Sequence, residues 1–215
     1  MNSTQMDAVR TALDAFQIEL PSWGFANTGT RFGKFLQAGA ASTIDEKFSD
    51  AGMVHRLTGV CPTVALHVLW DLPEGEASAQ GLERLCDPYG VRPGSINPNV
   101  FQDQVYKHGS LGNPDAAIRK QALDHICESI RIGQRLNSRD VSLWFADGSN
   151  YPGTQNMRHR RRWFAEALTA AHGQLRGSQR LLVEYKPFEP AFYHTDIADW
   201  GMALELARTA GSQAK

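Results

Sequence analysis

The feature that most limits what this chain can fold into is a regular alternation of short, apolar, β-rich runs with longer segments of helical periodicity. The strand candidates are residues 18–25, 63–70, 91–97, 141–146 and 181–186. Between them lie amphipathic stretches. Ser42 and Thr43 stand ahead of Asp45 and Glu46, the pattern that caps free N–H groups, so a helix is predicted over 43–57. Another is placed near 77–89. Asn113-Pro114-Asp115 reads as a helix start, because Asn accepts from first-turn amides and Pro loses nothing there by lacking an N–H. From that point Ile118, Ala122, Ile126 and Ile130 recur every four residues, with Leu123 and Cys127 beside them, which makes one apolar stripe. Residues 155–175 repeat the pattern through Phe164, Leu168, Ala171 and Leu175, and a last helix is predicted over 196–210, ahead of Gly211.

Strands that alternate with helices of this length imply an α/β fold, with parallel strands joined by right-handed helical crossovers. The run Thr63-Val-Ala-Leu-His-Val-Leu-Trp70 is apolar on both parities, as a strand covered on both faces should be. That suits a closed barrel or a doubly wound sheet, and composition does not separate the two. The chain has 215 residues, 42% of them hydrophobic, enough for one domain over 1–215 with a sizeable core. A (β/α)₈ barrel of the TIM type needs eight strand–helix units and about 250 residues. Five units use the whole sequence, so the expectation is an incomplete barrel, truncated at its C-terminal end.

Charge narrows the function classes. The 22 Lys and Arg nearly cancel the 23 Asp and Glu, and a net charge of -1 provides no field to draw nucleic acid or an anionic membrane. A small neutral substrate fits better. Cys61, Cys86 and Cys127 lack both CxxC spacing and the density of a disulfide scaffold, and are expected as reduced core residues. Asp7, Arg10 and Asp14 interrupt the first 17 residues, so no signal-peptide core is expected, nor any stretch long enough to span a bilayer. A cytoplasmic location follows as the expectation.

Residues two apart in a strand share a face, so Glu184 and Lys186 in Leu181-Leu-Val-Glu-Tyr-Lys-Pro187 point together at a strand's C-terminal end. Barrel enzymes assemble active sites there. The same pattern also fits a buried ion pair or a pair facing solvent at a sheet edge. His67 shares parity with Ala65 and Leu69 in an apolar run, which fits a core histidine as well as a functional one. Trp144 lies between Ser142 and Ala146 on its face, with room for an inward ring that serves either as core or as the wall of a sugar site. The loops 23–32 and 147–153 are rich in Gly and Asn, yet neither is a GxGxxG loop or ends in GKS or GKT. Residues 98–112 are long for a structureless connection, which favours a binding role. The basic run Met157-Arg-His-Arg-Arg-Arg-Trp-Phe164 reads as a solvated outer helix face, with Arg162 near Glu166, rather than a nucleic-acid contact.

Several blocks together resemble the bacterial L-rhamnose isomerase family, in particular its broad-specificity branch. They are Ser22-Trp-Gly-Phe-Ala26 with Gly29-Thr-Arg-Phe-Gly-Lys-Phe35, Thr58-Gly-Val-Cys-Pro-Thr-Val-Ala-Leu-His67 and Ile96-Asn-Pro-Asn-Val-Phe-Gln102, with Leu143-Trp-Phe-Ala-Asp-Gly-Ser-Asn-Tyr-Pro-Gly153 and Val183-Glu-Tyr-Lys-Pro-Phe-Glu-Pro190. The resemblance covers nearly the whole chain, as the N-terminal half of that family's (β/α)₈ barrel. It implies aldose–ketose isomerisation of a small sugar, a pair of divalent cations (manganese) at the barrel mouth, and a homotetramer. By motif, Glu184 matches a carboxylate metal ligand and Lys186 the active-site lysine beside it. His67 matches the histidine at the reacting end of the sugar. Trp23 and Trp144 match pocket walls, and Phe32 falls in a loop that reaches a neighbouring subunit's site in the family. The remaining metal ligands would lie beyond Lys215, so the chain alone is expected to be inactive and to retain no metal. Two other readings stay open: another metal-dependent barrel, such as a hydroxypyruvate isomerase or a phosphodiester-cleaving repair enzyme, and a non-catalytic half-barrel that serves assembly.

Overall fold

The computed structural model describes residues 3–26, 38–149, 155–187 and 194–211. Its centre is a parallel sheet of β1 (Glu19–Pro21), β2 (Thr63–His67), β3 (Arg92–Asn97), β4 (Asp140–Leu143) and β6 (Arg180–Val183), lying side by side in that order. Every neighbouring pair is parallel. Strand order that follows chain order without reversal is the order of a barrel wall; a doubly wound sheet reverses at a switch point. The ambiguity left by composition is thereby resolved.

Helices α3 (Ile44–Thr58), α6 (Ala116–Arg135), α7 (Met157–His172) and α8 (Trp200–Ala210) are the long elements between or after the strands. The predicted stripe on α6 is the buried one: Ala122, Ile126 and Ile130 meet Val64, Leu66, Ile96, Val141 and Leu143 in the core, joined by Phe164 and Leu168 of α7. Each fully buried Ile, Leu or Phe contributes about 1.5–3 kcal/mol relative to exposure, so this layer carries most of the favourable free energy. Thr43 caps α3 with the reciprocal Glu46 box that the sequence indicates. Cys61 and Cys86 are buried free thiols, and Cys127 is a partly buried one.

Several boundaries differ from the sequence reading. The strands are shorter, because two of them turn directly into single helical turns, α2 (Ser22–Phe25) after β1 and α4 (Val68–Asp71) after β2. The Asp71 carboxylate accepts the His67 N–H at 2.8 Å, which takes that donor out of the ladder and closes the turn. The start of α6 is capped by Asp115, which accepts from Ala117 N–H at 2.8 Å, while Asn113 accepts from the Asp115 N–H one step earlier. The predicted helix near 77–89 is broken into the short α5 (Leu82–Cys86), preceded by Gly81 at φ 85° and followed by a 3₁₀ turn through Pro88. Residues 98–112 are not structureless: they hold a 3₁₀ turn, Gln104–His108, anchored by buried Tyr106 and Leu111. Three elements were not anticipated at all. They are α1 (Ser3–Asp14) and an antiparallel pair of two-residue strands, β5 (Gly148–Ser149) with β7 (His194–Thr195).

Candidate active site

The C-terminal ends of the parallel strands surround a cavity of about 190 Å³. His67 is the last residue of β2, Asn97 the last of β3, and Ser142 lies near the end of β4. Trp23 comes from α2 and Trp70 from α4, while Trp144, Glu184 and Lys186 lie just past β4 and β6. With Pro98 and Phe101 these residues form the lining. The structure therefore brings together Trp23, His67, Trp144, Glu184 and Lys186, five of the six residues singled out from sequence. Phe32, the sixth, lies outside the described residues, as do 27–32 and 150–153 of the two loops.

The polar groups sit inside an aromatic frame. The His67 imidazole stacks on the Trp70 ring with centroids 3.7 Å apart and planes 20° apart, and meets the edges of Trp23 at 6.2 Å and Phe101 at 5.8 Å. Phe101 in turn packs edge-on against Trp144 at 4.5 Å. Lys186 places its ammonium 5.2 Å from the Trp144 ring centroid, within cation–π range.

His67 is only 3% exposed, and neither ring nitrogen has a hydrogen-bond partner among the described residues. Burial, reinforced by the charges of His125 and Lys47, holds the imidazole pKa down to about 3, so it is neutral at physiological pH. A neutral imidazole offers one donor and one acceptor, and leaving such a group buried and unpaired costs about 1–3 kcal/mol. Its backbone, by contrast, is anchored. Asp71 accepts the His67 N–H, the Ser22 hydroxyl and the Lys47 ammonium, the last at 2.5 Å, all of them buried. The main chain of His67 is thus fixed, while its ring belongs to the cavity lining and its nitrogens have no hydrogen-bond partner among the described residues.

A second buried polar cluster lies past β4. Asp147 accepts from the Ser110 N–H and hydroxyl, both at 2.7 Å, and from the Gly112 N–H at 2.8 Å. Arg160 donates to the Gly112 carbonyl at 2.7 Å and makes a 2.5 Å ion pair with Asp196. Gly109 and Gly112 are required here, since a Cβ would come within 2.6 Å of the Asp147 carboxylate and 2.7 Å of the Arg160 guanidinium, respectively. Burial, helped by the neighbouring Asp196, raises the Asp147 pKa to about 6 against the opposing Ser110 and Gly112 bonds. This corrects the reading of residues 157–164 as wholly solvated: Arg162 does pair with Glu166 in solvent at 3.6 Å, but Arg160 is 1% exposed. Arg160 lies one helical turn before Phe164, on the same buried stripe as Leu168 and Ala171, so the helical period was the available signal, and reading the run as one solvated face passed over it.

The implied metal pair was tested against the donors present. Among the described residues, Glu184 is the one carboxylate in the lining, and no group of three or more His, Cys, Asp or Glu side chains that could hold a metal ion occurs. A hard divalent cation takes about six oxygen-type ligands, so these residues do not make a metal site by themselves. Residues that the sequence reading did not single out are Trp70, Asn97, Phe101 and Ser142 in the lining and Lys47 and Asp71 beneath it. Asn97 closes a predicted strand and Phe101 lies in the long connection after it, both inside the block 96–102 that carries the family resemblance, but neither was given a role.

Fold and site together define an α/β protein of the (β/α) barrel class, with its candidate site at the mouth. The chain is a homologue of proteins named probable sugar isomerase. It is 36% identical over 214 residues to one from Mesorhizobium japonicum, across 97% of this chain and 49% of that protein. It is 35% identical over 215 residues to one from Rhizobium meliloti, with the same two coverages, 97% and 49%. The chain thus spans about half the length of the curated relatives it matches. No family model matches. Among solved structures, a xylose isomerase domain protein from Alicyclobacillus acidocaldarius superposes with a TM-score of 0.57 at 14% identity, over 93% of this chain and 61% of that one. At that identity the likeness shows a xylose isomerase-like barrel fold. Among the described residues, no helix is long and apolar enough to cross a membrane.

Proposed function

We propose that this chain acts within a metal-dependent aldose–ketose sugar isomerase of the L-rhamnose isomerase kind, supplying the wall that binds and orients the sugar. The observation that carries the reading is the buried His67, whose ring has no hydrogen-bond partner among the described residues, in an aromatic frame that lines one cavity with Glu184 and Lys186. Sugars present apolar C–H faces and hydroxyl rims, so aromatic walls with a few convergent polar groups are complementary to them. The near-neutral net charge agrees with an uncharged substrate and disfavours a phosphodiester one.

His67, neutral and held by its backbone, accepts a hydrogen bond from one sugar hydroxyl through one nitrogen and donates through the other. That pairing places a proton acceptor and a proton donor at the reacting end, which is what opening a sugar ring requires. Lys186 donates to a developing oxygen charge, Trp23 and Trp144 exclude water, and Glu184 is the carboxylate offered to the divalent metal, manganese by resemblance. A homotetramer belongs to the same proposal.

The test mixes purified chain with manganese and L-rhamnose or D-allose. Saturable quenching of tryptophan fluorescence without ketose formation is the expected outcome, since one carboxylate does not hold a hard cation. Absence of saturable binding to either sugar overturns the sugar reading. Ketose formation that disappears in Glu184→Gln would instead show that a metal site is completed between subunits.

A further inference from the structure

We propose that Gln102 is a positioning residue for His67, acting through the Trp70 indole and held in turn from the outer helix layer by Asn99 and His125. The inference rests on the sugar-isomerase reading of the cavity. Since neither ring nitrogen of His67 is hydrogen-bonded among the described residues, the rotation of the imidazole is set by packing, and its closest ring neighbour is Trp70 at 3.7 Å. Whatever fixes the indole fixes the imidazole.

The indole has a single polar handle, Nε1–H, which can only donate. It donates to Gln102 Oε1 at 3.1 Å. The Gln102 backbone N–H donates to Asn99 Oδ1 at 3.2 Å, and the Asn99 N–H donates to His125 Nε2 at 3.1 Å. With Nε2 accepting, the ring proton of His125 sits on Nδ1, which faces Glu128 Oε2 at 3.2 Å and donates to it. A continuous series of hydrogen bonds therefore runs from Glu128 on α6 to the ring stacked on His67. Trp70 belongs to the connection after β2 and Gln102 to the connection after β3, so their bond locks two mouth segments against each other. Asn99 is buried, whereas Gln102 is exposed, so a substitution at 102 leaves the core packing alone.

The test compares Gln102→Leu, which removes the acceptor at similar size, with Gln102→Glu, which keeps one. Two readouts need no sugar: the NMR resonance of the Trp70 indole N–H, and the ring-current shift that the indole imposes on the His67 ring protons. In Gln102→Leu the Trp70 N–H should move upfield and the His67 shift should shrink, with the other indole resonances in place. Affinity for L-rhamnose or D-allose should fall about three- to tenfold, the loss of one hydrogen bond's worth of preorganisation, and Gln102→Glu should restore all three. Unchanged His67 ring shifts in Gln102→Leu, or losses that Gln102→Glu does not restore, overturn the proposal. If the unmodified chain binds neither sugar, the isomerase reading fails, and the two ring signals still decide the positioning role.

Discussion

His67 and Asp147 lie at or just past the C-terminal ends of parallel strands, both at most 3% exposed, and they are opposites in hydrogen bonding. Asp147 accepts three hydrogen bonds and sits beside an Arg160 that is itself bonded to Asp196 and Gly112. His67 has none at its ring among the described residues. Buried polar groups in folded proteins are almost always satisfied, and a satisfied network specifies the local structure. The contrast separates two jobs at one barrel mouth. The Asp147 cluster ties loop to helix, whereas the proposed role of His67 is to offer its ring nitrogens to a ligand in the cavity.

The largest expected effect separates the two regions by stability. Arg160→Leu leaves Asp196 and Asp147 without their cation and should cost about 3–5 kcal/mol, read as a lower urea midpoint. His67→Phe removes a buried unsatisfied group and should unfold within about 1 kcal/mol of the parent or be more stable than it. Equal losses for both variants would erase the distinction.

The two groups should also respond to pH with opposite signs. The pKa of His67 is depressed in the folded state, so the unfolded chain binds more protons below about 6.5, and stability is lost as pH falls from there toward 3. Relative to His67→Phe, the parent should lose on the order of 2–3 kcal/mol between pH 7 and 4.5. The pKa of Asp147 is raised, so the folded chain binds the extra proton, and stability contributed by this group falls as pH rises from 3.8 to about 6. Relative to Asp147→Asn, the parent should gain up to roughly 3 kcal/mol on acidification through that window. Denaturant melts across pH measure both slopes, and slopes of the same sign would contradict the assignment.

The smallest effect sharpens the comparison within one helix. Arg162 pairs with Glu166 in solvent, two residues from Arg160. Arg162→Ala should change stability by about 0.5 kcal/mol or less, because exposed pairs are screened and entropically loose. A loss approaching that of Arg160→Leu would mean that the helix face is covered in solution.

Much of the barrel wall was legible in the sequence because its causes are periodic. The stripe Ala122, Ile126 and Ile130 and the both-face apolar run at 63–67 record burial directly. Strand ends were not legible to the residue, because Asp71 and Pro21 end β2 and β1 through turns that the apolar pattern runs straight across. Among the site residues, Glu184 and Lys186 stood out as charges at a predicted strand end, although the strand stops at Val183 and both lie just past it. The support beneath His67, Lys47 with Asp71 and Ser22, was not legible, since it joins residues 24 and 49 positions apart that share no period. Arg160 sits one turn before Phe164 on the buried stripe, so its position was legible by period, whereas its partners Asp196 and the Gly112 carbonyl were not.

The central claim is that the unpaired ring of His67 takes its partners from a sugar. The most direct measurement follows the imidazole nitrogens of ¹⁵N-histidine-labelled chain by NMR during titration with L-rhamnose, beside His67→Phe. The account predicts a saturable shift of the His67 nitrogens, and a folded variant that no longer binds. Nitrogens that stay in place while sugar binds, or a variant that binds equally well, would contradict it.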